Sequence, residues 1–426
     1  MALMAGALPF LEREFALTPA LAGWAVSSAI LGGIAGPLLG LWFTDAIGRR
    51  RTMMLAAFIF MASTIGCALA GSIHAFAFWR FVGGMGVGLA MISSPIYIAE
   101  LAPPTVRGSL VNVNQLSNVI GINLAMIVAY LFSGFDDNWR LMLGSQAVPV
   151  FFLMLGLLLV PESPRWLAAK GRDAEAMKVL TRINGPTIAC QELDAIRADV
   201  GVDNVRFAEL WMPSSRMALK IGIILMIFSQ TNGVNMLLLY APTIMADAGI
   251  SFGSNAILSS VPIYVVILIG TLFAFPLLHR FSRRGLLMAS ATGITIGHVL
   301  MAIILWFQLP AMLLLIPMMI GTGAFTVGLA PLSWIIVSEI FPNRIRGKAL
   351  AVVCVFLFAA SFLTAQFFPV AVEWLEQATG SSAGIYLIFA AICLSCVWFA
   401  WAKLPETKGL SLEEIGAFWR SRGASN

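Results

Sequence analysis

The chain has 426 residues, 59% of them hydrophobic and 11% charged, with mean hydropathy +0.90 and a formal net charge of +5. A soluble domain carries roughly 25% charged residues, so this composition excludes a soluble enzyme or binding module and describes a polytopic membrane protein in a lipid bilayer. The positive charge is spread over short loops rather than gathered on one element, which excludes a nucleic-acid-binding surface.

Apolar runs of about 20 residues, each long enough for a hydrocarbon core of roughly 30 Å, fall near 20–44, 52–71, 75–98, 109–132, 141–160, 217–245, 255–278, 286–307, 311–338, 348–371 and 383–402. These are eleven full spans. A twelfth run, Met1 to Phe10, is too short to cross and lacks the basic n-region and cleavage site of a signal peptide. The chain therefore reads as all-α, with its first helix incomplete. The expected organisation is a six-helix bundle over 1–160, a linker over 161–216 with short intracellular helices, a second bundle over 217–402 and a tail over 403–426.

If the polar linker is cytoplasmic, so are the basic clusters Arg49–Arg51, Arg107, Arg280–Arg284, Arg344–Lys348 and the C-terminus. The opposite face keeps Arg13 and Arg140 against Asp136, Asp137, Glu373 and Glu376. This is a positive-inside asymmetry, and it places the protein in the cytoplasmic membrane.

The two halves repeat. "DAIGRRRTMM" (45–54) and "HRFSRRGLLM" (279–288) align Arg49 and Arg50 with Arg283 and Arg284 at an offset of 234. "ELAPPTVRGSL" (100–110) and "EIFPNRIRGKAL" (339–350) align Glu100 and Arg107 with Glu339 and Arg346 at an offset of 239. "PESPRWL" (161–167) and "PETKGLSLEEI" (405–415) close the two halves. Carried back, the first offset expects the first helix to begin about 17 residues before Met1, so the start is read as late or the chain as truncated.

Several features carry no chemistry. Cys67, Cys190, Cys354, Cys393 and Cys396 are odd in number and scattered, and the last two lie three apart in an apolar helix, which reads as packing. "GGMGVG" (83–88) follows no strand and reads as small residues permitting close helix packing. There is no P-loop. His74, His279 and His298 are isolated from any metal-ligand or nucleophile–base partner. No catalytic group, metal or cofactor is expected.

"SQTNGVNMLLLYAP" (229–242) poses the main question, because it packs Ser229, Gln230, Thr231, Asn232 and Asn235 into an apolar run. Polar side chains in a span are costly unless they face a bundle interior or a wet cavity. Gln230 and Asn235 are five apart, roughly 140° around a regular helix, so meeting on one face requires an unwound or kinked segment at Gly233. "NQLSNVIG" makes 114–121 equally polar, with Asn112 and Asn123 flanking it, and Pro331 interrupts "GLAPLSWIIVSE".

In combination, "DAIGRR", "RFVGGMGVG", "PIYIAELAPPTVRG", "WRLMLG", "PESPRWL", "SEIFPNRIRGKAL" and "PETKGLSLEEI" resemble the sugar porters of the major facilitator superfamily (MFS). The resemblance covers nearly the whole chain. It implies two six-helix bundles around a central cavity, and secondary transport of a small neutral sugar or polyol by alternating access.

On the matching positions it implies substrate contacts at Gln115, Ile122, Gln230, Asn235, Tyr240 and Trp334. Amides suit a neutral polyol because each offers a donor and an acceptor without charge. It further implies a coupling role for Arg80, whose acidic partner in proton-coupled relatives would fall just before Met1, and a cytoplasmic gate of Asp45, Arg49, Glu100, Arg107, Glu162, Arg165, Glu339, Arg346 and Glu406.

Departures from the pattern are Ser229, Leu239, Ile267, Leu357 and Phe358 at the site, Gln146 for a second acid, and His279 and Ser282 for Asp and Gly in the second gate loop. They leave three alternatives: uniport, transport of another small organic solute, and a non-transporting sensor on the same fold.

Overall fold

The computed structural model describes residues 2–102, 104–200, 207–247, 256–341, 343–406 and 408. In chain order its helices are α1 (Ala2–Glu14), α2 (Pro19–Ile47), α3 (Arg49–Ala68), α4 (Ile73–Leu101), α5 (Pro104–Phe132), α6 (Asn138–Gly144), α7 (Ala147–Leu159), α8 (Pro164–Ala169), α9 (Asp173–Asn184) and α10 (Pro186–Val200). They continue as α11 (Pro213–Thr231), α12 (Val234–Asp247), α13 (Ala256–Arg280), α14 (Arg283–Trp306), α15 (Leu315–Ala324), α16 (Ala330–Ile340), α17 (Asn343–Thr379) and α18 (Ala383–Lys403). Among the described residues there is no strand, and eleven stretches are long and apolar enough to cross a membrane. Three of these join two helices: α6 with α7, α11 with α12, and α15 with α16.

The chain separates into two compact units. One comprises Ser28–Ser117 and Gly144–Phe207; the other comprises Met1–Ser27, Asn118–Leu143 and Ala208–Asn426.

Within the first unit, α2, α3 and α4 approach closely where the sequence is glycine-rich. A Cβ on Gly84 would lie 1.9 Å from the Ala29 carbonyl oxygen, and one on Gly32 2.0 Å from that of Phe81. The run 83–88 is therefore a packing stripe, because only glycine lets the backbones meet. Ser63 Oγ ties α3 to α4 by donating to the Trp79 carbonyl at 2.6 Å. The short helices α8–α10 bury Trp166, Leu167, Ala176, Leu180, Ala189 and Leu193 together, and Arg197 pairs with Asp173 at 2.6 Å across their outer face.

Within the second unit, α1 buries Met4, Ala5, Ala7, Leu8 and Leu11. Its end is held by Glu14, which accepts from the Trp139 indole and pairs with Arg140 at 3.1 Å, while the Arg140 guanidinium lies 4.2 Å over the Trp139 ring. The start of α2 is tied to α17 through Gln366, which accepts from Ser27 Oγ at 2.7 Å and donates to the Ala20 carbonyl at 3.1 Å.

The span 311–340 changes pitch at a π turn over Phe325–Leu329, immediately before Pro331 in the first turn of α16. Proline has no N–H to donate and its ring crowds the preceding turn, and the wider turn accommodates both. Ser290 on α14 satisfies the displaced backbone, accepting from Leu329 N at 2.8 Å and donating to the Ala324 carbonyl at 2.7 Å.

Candidate substrate-binding and gating sites

The polar stretch 229–235 is a helix break, several of whose backbone groups are satisfied by its own side chains. The Asn232 side chain donates to the carbonyls of Phe228 and Ser229 at 3.1 and 2.6 Å, and its Oδ1 accepts from Val234 N at 3.0 Å. One amide thus caps the end of α11 and the start of α12, groups that a helix terminus otherwise leaves unsatisfied.

Gly233 holds φ +85°, a region that side chains disfavour, and a Cβ there would lie 2.5 Å from the Phe389 ring. Ser229 and Thr231 donate to the carbonyls of Met226 and Ile227 at 2.8 and 2.9 Å. With the regular helix interrupted, Gln230 and Asn235 come into contact: Asn235 Nδ2 donates to Gln230 Oε1 at 2.9 Å. Asn235 Oδ1 and the Gln230 amide keep accepting and donating capacity for a hydroxyl.

One turn further, Tyr240 is 5% exposed and its hydroxyl is buried without a partner, as is Thr243 Oγ1. Both residues line a cavity of about 560 Å³, with Phe368 and Tyr386 on its walls and Glu12, Glu373 and Glu376 around it. The Tyr240 and Phe368 rings lie 5.0 Å apart. Such a cavity, with aromatic walls, three carboxylates and two unpartnered hydroxyls, has the character of a small-molecule site. Of the sequence-predicted ligands, Tyr240 alone lines it.

The remaining predicted ligands lie on other helices. Trp334 on α16 is 37% exposed. Ile122 on α5 is half-buried, and Gln115, in the other unit, is exposed. Asn112 and Asn114 lie outside the residues whose side chains are described. Ile267 and Leu357, at two of the departures, are buried apolar residues. Arg80 on α4 has a buried Nε without a hydrogen-bond partner.

The predicted gate residues form two clusters, one in each unit, with the same plan. In the first, Arg49 meets Glu100 through two nitrogens at 3.0 and 3.1 Å and Asp45 at 3.1 Å, and donates to the Thr44 carbonyl at 3.0 Å. Glu162 accepts from Arg50 N at 3.0 Å, and Ser163 donates to Glu100. Arg50 donates to the Leu157 carbonyl at 2.7 Å, and the Trp166 indole to that of Asp45 at 3.0 Å.

In the second, Arg283 meets Glu339 at 3.4 Å and donates to the Leu278 carbonyl. Glu406 accepts from Arg283 N and Arg284 N at 2.9 and 3.2 Å, Arg284 donates to the Trp401 carbonyl, and Lys408 Nζ reaches the His279 carbonyl at 2.9 Å. Arg165 is exposed at the start of α8, and the side chains of Arg107 and Arg346 lie outside those described.

Eleven helical stretches of span length among the described residues, an interrupted polar helix, and charge clusters repeated at the span ends define a multi-pass carrier of the MFS fold. A family model described as "Sugar (and other) transporter" matches residues 10–419, and the chain belongs to that family of transporters, which are not enzymes.

It is 36% identical over 428 residues to the arabinose-proton symporter of Bacillus subtilis (strain 168), covering 98% of this chain and 91% of that one. It is 34% identical to the D-xylose-proton symporter of Escherichia coli (strain K12), covering 94% and 86%. The inward-open structure of the E. coli xylose transporter superposes with TM-score 0.85 at 31% identity, over 98% of this chain and 95% of that one. The proton:xylose symporter bound to 6-bromo-6-deoxy-D-glucose superposes with TM-score 0.79 at 32% identity, over the same shares.

What sequence reasoning missed is the supporting shell. Asn232, which has no assigned role in the sequence beyond the polarity of the stretch, caps the break. His298, which has no metal-ligand or nucleophile–base partner in the sequence, contacts that break through a backbone carbonyl. Glu12, Thr243 and Tyr386 were not singled out as cavity walls. Glu12 and Thr243 stand at unremarkable positions in sequence, and only the packing of α1, α12 and α18 groups them.

Proposed function

We propose that the protein moves a neutral sugar across the cytoplasmic membrane in symport with protons, by alternating access of two six-helix halves (1–160 and 217–402) joined by the linker 161–216. Its basic loops and C-terminal tail (403–426) face the cytoplasm. The substrate class is a pentose, the class named in relatives from two bacteria. The observation that carries the site is the Asn235–Gln230 pair at the Gly233 break, where two uncharged amides with spare hydrogen-bonding capacity replace the hydration of sugar hydroxyls. Ile122, Tyr240 and Trp334 are further proposed contacts, with the indole and phenol offering flat faces to the C–H surface of the sugar, and Gln115 is proposed as a further amide contact.

Arg80 is the coupling charge, because an intramembrane guanidinium cannot shed its proton and so holds a fixed positive potential against a proton carrier. The clusters around Arg49 and Arg283, with Asp45, Glu100, Arg107, Glu162 and Arg165 in the first half and Glu339, Arg346 and Glu406 in the second, close the cytoplasmic side and open in each cycle. A second reading, uniport, is favoured by Gln146, which stands where some proton symporters carry an acid.

Uptake of labelled D-xylose, L-arabinose, hexoses and an organic acid into proteoliposomes, with and without a protonophore, tests both readings. Symport predicts pentose accumulation abolished by the protonophore. Uptake that equilibrates and ignores it supports uniport, binding without flux supports a sensor, and preference for the organic acid contradicts the substrate assignment.

A further inference from the structure

The break at Asn232–Gly233 is held from outside its own span. The Asn232 carbonyl, freed where α11 ends, is met by His298 Nε2 on α14 at 2.8 Å and by Cys393 Sγ on α18 at 3.6 Å. A carbonyl oxygen only accepts, so His298 presents Nε2–H to it, which leaves Nδ1 as the acceptor in the neutral ring. Nδ1 is buried and has no partner. The ring is 2% exposed and lies against Phe389 at 5.5 Å and Tyr386 at 6.1 Å between centroids. Phe389 is the ring that also covers Gly233. Imidazole, thiol and phenyl group therefore converge on two backbone residues.

We infer that His298 is a positioning residue for the sugar ligands: its Nε2–H fixes the Asn232 carbonyl, and through it the angle between α11 and α12 that brings Gln230 and Asn235 together. This rests on the reading of those two amides as the substrate site. The physical reason for such a clamp is that a glycine at positive φ between two helix ends has no side chain to restrain it, and the carbonyl of an interrupted turn is costly to bury without a donor. His298 supplies both donor and restraint, and Cys393, a weak donor, supplements it. The ring is not placed to carry protons, because a second N–H on Nδ1 would face no acceptor.

The test compares His298→Leu, which removes the donor, with His298→Gln, whose side-chain amide restores an N–H near the position of Nε2. Transport of D-xylose and L-arabinose by the full chain in proteoliposomes is expected to show KM raised roughly tenfold in H298L, the worth of one buried hydrogen bond, with kcat changed far less, and KM largely restored in H298Q.

Hydrogen exchange of the segment 229–240, followed by mass spectrometry without sugar, reads the clamp independently. It is expected to accelerate in H298L and to return toward wild type in H298Q. If wild-type protein carries neither pentose, the transport reading fails and the exchange measurement alone decides the clamp. Equal exchange in wild type and H298L overturns the proposal, as does faster exchange in H298L that H298Q does not reverse, since that is the mark of packing volume rather than a hydrogen bond.

Discussion

The two charge clusters are copies of one design executed with different residues. At an offset of 234, Arg49 and Arg283 each reach a carbonyl at the end of the preceding helix, that of Thr44 or Leu278, and Glu162 and Glu406 each cap the helix that follows. Arg50 and Arg284 donate to Leu157 and Trp401, which correspond at the same offset as the two capping glutamates.

The differences lie in how each loop makes room for its cap. Gly48 takes φ +100°, and a Cβ there would lie 2.5 Å from Glu162 Oε2. Its counterpart Ser282 takes φ −68° and caps α14 itself, accepting from Gly285 N at 3.1 Å. Where the first loop has Asp45 beside its arginine, the second has His279, whose carbonyl is reached by Lys408. The lesson is that a duplicated scaffold preserves backbone-directed contacts, while the side chains around them drift to alternatives that satisfy the same groups.

The comparison breaks most visibly at the carboxylates facing the two arginines. Arg49 and Glu100 are 13% and 10% exposed, with one hydrogen bond at 3.1 Å and a second nitrogen at 3.0 Å, whereas Arg283 and Glu339 are 19% and 28% exposed and 3.4 Å apart. Removing one member of a buried pair costs about 3 kcal/mol, against about 1 kcal/mol for an exposed one, and both pairs fall between these limits, the first nearer the buried one. Glu100→Gln is therefore expected to lower the melting temperature of the purified protein further than Glu339→Gln, and equal shifts would mean the clusters are energetically equivalent.

Gly48→Ala comes next. Gly48 lies at φ +100°, ψ 161°, a region essentially confined to glycine that costs a residue with a Cβ about 1–3 kcal/mol, before Glu162 is displaced, while Ser282→Gly weakens a cap by only about a few tenths of a kcal/mol. Thermal melts of the two variants should separate clearly. The smallest effect sharpens the comparison from the other side: His279→Asp would restore the i,i+4 pair with Arg283 for about 0.3–0.5 kcal/mol, a gain that high salt should erase.

Much of this was legible in sequence. All eleven spans were readable from hydropathy, because a bilayer demands long apolar runs. The duplication was readable because its arginines and glutamates recur at fixed offsets. The kink at Gly233 followed from the angular conflict between Gln230 and Asn235, and the structure resolves that conflict by breaking the helix.

The role of Asn232 was not legible, since an amide that caps a helix and one that binds a hydroxyl look alike in sequence. Nor was the partnership of His298, 66 residues away, with the Asn232 carbonyl, because backbone acceptors leave no mark on residue identity. The π turn before Pro331 was anticipated only as a lost hydrogen bond. Its completion by Ser290 depends on how α14 packs against the span 311–340.

The account stands on the amide pair, and counterflow of labelled pentose in proteoliposomes with no imposed gradient tests it most directly. Wild type should exchange D-xylose or L-arabinose. Asn235→Ala, which deletes both an acceptor for the sugar and the contact to Gln230, should raise the half-saturating concentration tenfold or more, since one lost hydrogen bond to a bound hydroxyl is worth about 1 kcal/mol and an orphaned partner about as much again. Unchanged half-saturation in the variant, with the protein folded and exchange intact, would contradict the claim that this break is where the sugar binds.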